Sequence, residues 1–117
     1  MAKAANVFRK ATVELLMIQL TAIGKTAGVV LKCYRDYESP AKPSKNQTEV
    51  ANAASTHQSV VSGLENARSI PADPVLKGIM AQIGLNPTSG PPEALYKLLR
   101  FIRDHRNDLK GLSKHFP

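Results

Sequence analysis

The chain has 117 residues, with 16 Lys and Arg against 9 Asp and Glu, and a formal net charge of +7. That length is one ordinary domain with a single core, and one Cys excludes a disulfide framework and any multi-Cys zinc site. The positive balance points toward a polyanionic partner and says nothing about fold.

Residues 1–12 carry Lys3, Arg9 and Lys10 and no acid, and residues 1–7 are expected to form a flexible basic arm. The apolar stretch from Val13 to Ile23 is interrupted by Glu14 and Gln19, which counts against a secretory signal; an acid-free basic start leaves an organellar transit peptide as an alternative. Lys25 cuts the best candidate for a membrane span, which needs about 18 uncharged apolar residues. The expectation is a cytoplasmic chain with no membrane partner.

At about 100° per residue, positions 8–37 sort as a helix. Lys10, Glu14, Thr21, Lys25, Lys32 and Arg35 fall in one narrow polar strip, and the phase holds through Gly24 and Gly28. A β-hairpin around Gly24–Gly28 is the competing reading, but neither flank alternates apolar and polar residues, so the helix is preferred, with the two glycines as a possible hinge. Its wide apolar surface must be covered by other helices or by a second chain. Leu15, Leu16, Ile18, Leu20 and Ile23 are the candidate interface. Cys33 shares this surface and is expected to be a buried structural thiol.

Residues 39–45 contain two prolines and read as a linker. Asn46 followed by Glu49 marks a helix start, and Val50, Ala53, Ala54, His57, Val60, Val61, Leu64 and Ala67 then recur at helical spacing until Pro71. His57, amid that apolar face, is expected in a core or interface. A third helix starts with Asp73 as cap and Pro74 in its first turn and runs through Ile83. Gly84 supplies the left-handed stop, with Leu85 folding back onto Met80. After the connector 88–92, Pro91 and Pro92 open a fourth helix that runs to about Lys110, with Leu95, Leu98, Leu99, Ile102 and Leu109 on one face. Gly111 closes it, leaving 112–117 as a loose tail. The fold expected is all-α, a single domain built as a bundle of about four helices with one long N-terminal helix.

The fourth helix carries the sharpest functional signal. Tyr96, Lys97, Arg100, Arg103 and Lys110 lie away from its apolar face, with Arg106 at the border. Glu93 and Asp104 stand at pairing distance from Lys97 and Arg100. Arg103, Arg106 and Lys110 have no acid four residues away, and with Tyr96 they suit phosphates plus one stacked base. A merely solvated helix face has the same composition. Lys3, Arg9, Lys10, Lys42 and Lys45 add cations in the arm and linker. Gly24-Lys25-Thr26 lacks the upstream glycine of a phosphate-binding loop, where Gln19 stands. The proline-rich connector between the third and fourth helices is too long for a helix-turn-helix. The carboxylates are scattered singly and no His or Cys has a metal-spaced partner. No enzyme activity, metal or cofactor is therefore expected.

One local resemblance adds to this. Asp73-Pro74-Val75-Leu76-Lys77, with Ile83-Gly84-Leu85-Asn86-Pro87-Thr88-Ser89, resembles the closing stretch of some phage small terminase subunits. It spans 17 residues, lacks the arginine that commonly follows in those proteins (Gly90 and Pro91 stand there), and is followed here by a further helix. The resemblance implies a DNA-recognising, ring-forming partner of a packaging ATPase. From the residues themselves, the expected function is self-association combined with nucleic-acid binding, DNA or RNA. The alternative is an adaptor, inhibitor or assembly subunit that docks a protein partner on its surplus apolar surface.

Overall fold

The computed structural model describes the backbone of residues 2–113 and the side chains of residues 10–111. Within them lie five helices and no β-strand: α1 (Ala2–Asp36), α2 (Gln47–Ala53), α3 (Gln58–Glu65), α4 (Asp73–Gln82) and α5 (Gly90–Ser113). The all-α class and the long first helix are as expected. The helix count is not, because the segment after Asn46 is two helices rather than one.

α1 is continuous through Gly24 and Gly28. It packs against α5 and α3 through a stripe formed by Val13, Gly24, Ala27, Gly28, Leu31 and Arg35. Gly28 is required there, since a Cβ would collide with the backbone carbonyl of Glu65 on α3. α5 runs antiparallel to α1, with Ile102 level with Gly24, and His105 and Leu109 beside Leu16 and Leu20. α3 packs on the C-terminal half of α1, α2 on α3 and α4, and α4 on α5, burying Val50, Val61, Leu64, Leu76, Ile79 and Met80 together with Leu31 and Leu99.

Three helices end in the same way. At α4, Gly84 (φ 88°) lets its own N–H reach the Ala81 carbonyl and the Leu85 N–H reach that of Met80, a Schellman stop of the kind expected at this glycine. α2 ends identically on Ser55 (φ 57°), with Thr56 N–H donating to Ala51 O at 2.9 Å, and α3 on Ala67 (φ 58°), with Arg68 N–H donating to Gly63 O at 2.8 Å. The last two carry no glycine, which is why the break near Ser55 and the early end at Glu65 depart from the sequence reading. His57 thereby becomes the exposed N-cap residue of α3, not a core histidine.

Other expectations are corrected too. Residues 2–7 are helical where a flexible arm was expected, and α5 continues through Gly111 to Ser113. Asp73 is the first residue of α4, with Ala72 at the cap. The linker 39–45 includes a tight turn, Ser39 and Lys42 exchanging two backbone hydrogen bonds at 2.8 and 3.0 Å. Cys33 is exposed. From Lys10 to Asp36, α1 is by length and composition apolar enough to cross a membrane, despite Lys25, and 17% of its apolar 18-residue core stretch is buried.

Candidate functional site

α5 places its cations in three different settings. Lys97 is mostly exposed and pairs with Glu93 at 3.2 Å, as the four-residue spacing predicts. Arg100 turns away from Asp104 to approach Asp73 at 3.5 Å, while Asp104 is taken by Arg103 at 3.0 Å. Arg103 Nη1 also lies 2.8 Å from Asp73 and donates to the Pro71 carbonyl at 3.0 Å. Arg106 donates to the Ala67 carbonyl at 3.0 Å, at the glycine-free stop of α3. Arg103 and Arg106 are therefore not free cations, as their lack of an acid four residues away suggested. Each spends part of its guanidinium on a loop carbonyl and presents the remainder.

That anchoring builds a cleft. Arg68, Ser69 and Ile70 from the turn after α3 face Arg103, Arg106, Asn107 and Lys110 from α5 around about 210 Å³. Its lining has four cations and no carboxylate. Asp73 sits just outside, and the adjacent Arg103 guanidinium holds its carboxyl below the usual carboxylate range. Burial works to lower the Arg103 pKa, but the hydrogen bonds to Asp73 and Asp104 prevail and raise it. Arg103 therefore keeps its charge across the neutral range. Arg68 is exposed and rests on Ser62 Oγ at 3.1 Å; Lys110 is exposed at the cleft mouth.

Arg68 was missed from the sequence, where it is a lone arginine after a helix with no periodic relation to α5. Tyr96 was misplaced. It is 6% exposed, packed in the core with Lys77 Nζ 5.3 Å over its ring, and offers no stacking surface. Lys42 and Lys45 do not line the cleft. Lys42 donates to the Tyr37 carbonyl at 2.7 Å and Lys45 to Gln82 Oε1 at 3.0 Å, so both fasten the 39–45 segment. Lys10 is half-buried on α1, and the Lys3 and Arg9 side chains lie outside the described residues.

A second surface is apolar. Leu15, Leu16, Ile18 and Ile23 of the expected interface are exposed, and Leu20 is half-buried beside α5. Val29, Val30 and Tyr34 continue the exposed face along α1, and Phe101 extends it onto α5. The sequence predicted this apolar width but not its orientation: Gly24, Ala27 and Gly28 face the bundle with Val13 and Leu31, while most of the large apolar residues face out. Among the described residues no cluster of His, Cys, Asp or Glu could hold a metal ion. No protein-family model, curated protein or solved structure matches the chain.

Proposed function

We propose that this chain is a non-enzymatic basic helical protein that self-associates and holds nucleic acid through phosphate contacts. The observation that carries this reading is the cleft where Arg68, Arg103, Arg106 and Lys110 converge with no carboxylate in the lining. Two of those guanidiniums are already fixed by loop carbonyls, so less side-chain freedom is lost when they bind an anion. Affinity then comes mainly from counterion release and must fall steeply with salt. If the resemblance of residues 73–89 to phage small terminase subunits extends to function, the nucleic acid is DNA and the assembly serves a packaging ATPase.

The test is a salt titration of binding to labelled random-sequence DNA and RNA. Arg68→Ala with Lys110→Ala is the informative variant, because neither side chain holds a loop carbonyl. We expect weaker binding and a log–log salt slope reduced by about one per cation removed, since each phosphate contact releases roughly one counterion. No binding by the wild-type chain at low ionic strength overturns the reading.

The exposed face of α1 supports a second reading, a module that docks a protein partner there. It predicts salt-tolerant association that is lost in Leu16→Asp and unchanged in the Arg68/Lys110 variant.

A further inference from the structure

We infer that the exposed face of α1 is closed by α1 of a second copy of this chain, running antiparallel, with the two-fold axis beside Ala22 and Ile23. The inference rests on the self-association proposed above and specifies its geometry.

The first support is a period. Leu15–Leu16, Ala22–Ile23 and Val29–Val30 recur every seven residues and all six are exposed. Gln19 and Thr26 lie between them at the same period, with the Thr26 hydroxyl already donated to the Ala22 carbonyl. A seven-residue repeat keeps an apolar seam in phase with a neighbouring helix as the two wind together, whereas a lipid surface imposes no such period. A bilayer is disfavoured on a second ground. The segment that could cross one, Lys10–Asp36, includes Arg35, which is buried against Glu65 of α3, and insertion of the whole segment would break that pair.

The direction follows from the two edges of the face. One edge is polar, with Glu14, Thr21, Lys25 and Lys32; the other is apolar and continues from Leu16 to Phe101 of α5 across a shallow groove. An antiparallel two-fold pair lays like edge beside like edge. A parallel pair sets each polar edge against the partner's apolar one and buries its lysines without counter-charge. Charge placement agrees. Glu14 is at one end of the polar edge and Lys25 and Lys32 toward the other, and no ion pair satisfies them among the described residues. With the axis beside Ile23, Glu14 of each copy lies opposite Lys32 of the other, and Leu16 opposite Val30.

The native cysteine makes the direction measurable. Cys33 is ten residues from Ile23, about 15 Å along a helix at 1.5 Å per residue, so the two copies of Cys33 stand about 30 Å apart when antiparallel. In a parallel pair they are neighbours. A disulfide needs the two Cα atoms within about 7 Å. The experiment oxidises the full chain and the Cys33→Ser, Ile23→Cys variant under native conditions, with solution mass and circular dichroism measured alongside. We expect a dimer in solution, no disulfide through Cys33, and efficient cross-linking through position 23. Glu14→Lys and Lys32→Glu should each weaken the dimer about five- to tenfold, given the modest worth of exposed pairs and the repulsion introduced, and their combination should restore it.

A dimer that cross-links through Cys33 overturns the antiparallel arrangement while leaving self-association standing. A chain that stays monomeric at the highest soluble concentration overturns both. Partition of that monomer onto vesicles of mixed neutral and anionic phospholipid identifies the bilayer as what covers the face.

Discussion

The guanidinium of Arg35 clasps the carboxylate of Glu65, Nε to Oε2 at 2.7 Å and Nη2 to Oε1 at 3.0 Å, with both side chains less than a tenth exposed. The pair ties the end of α1 to the end of α3. Its remaining valences are used as well: Arg35 donates to the Lys45 carbonyl and Gln47 donates to Glu65. Removing Glu65 leaves the buried Arg35 guanidinium with only the exposed Asp36 carboxylate, 3.0 Å away, so Glu65→Ala should cost about 3 kcal/mol, the low end for breaking a buried pair. Arg35→Met combined with Glu65→Leu should recover most of that loss, because an apolar pair of similar volume avoids the desolvation penalty. Urea denaturation of the three proteins checks this.

The two glycines of α1 should respond in opposite ways to the same change. A Cβ at Gly24 meets Ala67 at 3.5 Å, ordinary contact, so Gly24→Ala should be neutral or stabilise by up to about 1 kcal/mol through helix propensity. A Cβ at Gly28 runs into the Glu65 carbonyl. Gly28→Ala must push α3 off α1 and should destabilise by about 1–3 kcal/mol, the usual range for overpacking. Thermal melts of both variants decide it.

Ser55 holds a left-handed conformation at the end of α2 without being glycine. That conformation costs an L-residue roughly 1–2 kcal/mol, partly offset in Ser55→Gly by the greater freedom of an unfolded glycine. The variant should therefore be more stable by about 0.5–1 kcal/mol. A lower melting temperature would count against this stop.

Asp73 sets a pH dependence of known sign. Its pKa is lowered in the folded chain by the Arg103 hydrogen bond first; burial is the next effect and opposes it, and the charges of Arg103, Arg100 and Lys77 then add to the lowering. The stability it contributes is complete above the ordinary carboxylate range and is lost as pH falls through the lowered value. Wild type should thus lose more stability on acidification than Asp73→Asn. The same variant frees Arg100 and leaves Arg103 with Asp104 alone, so at neutral pH it should bind nucleic acid more tightly and with a steeper salt slope. Anisotropy titrations at several salt concentrations measure the second effect.

What the sequence revealed and what it hid divide along a physical line. Helix starts with dedicated chemistry were legible: Asn46 and Glu49 form the reciprocal capping box, and Gly84 with Leu85 forms the stop of α4. Ser55 and Ala67 adopt the same stop with residues that do not advertise it, and apolar spacing alone ran straight through the break. Charge was legible as an amount but not as a partnership. Arg103 and Arg106 looked free because most of the atoms that bind them, in Asp73, Pro71 and Ala67, are distant in sequence, and Asp104, beside Arg103, stood at the spacing that pairs it with Arg100. The size inversion on α1 was hidden for a similar reason. A wheel finds an apolar arc, but which part of it faces the bundle depends on where Gly28 meets α3.

α1 is one helix by its hydrogen bonds and two by its anchorage. From Gly24 onward it is pinned by Gly28, Leu31 and Arg35, while between residues 10 and 23 only Val13 is fully buried. Amide protons in the second half can then exchange with solvent only when the whole domain opens, and those in the first half need a far smaller local fraying. Deuterium uptake along this single helix should step upward on the N-terminal side of Gly24. Covering by a second copy would flatten the step, because the first half would then open only after the two chains part.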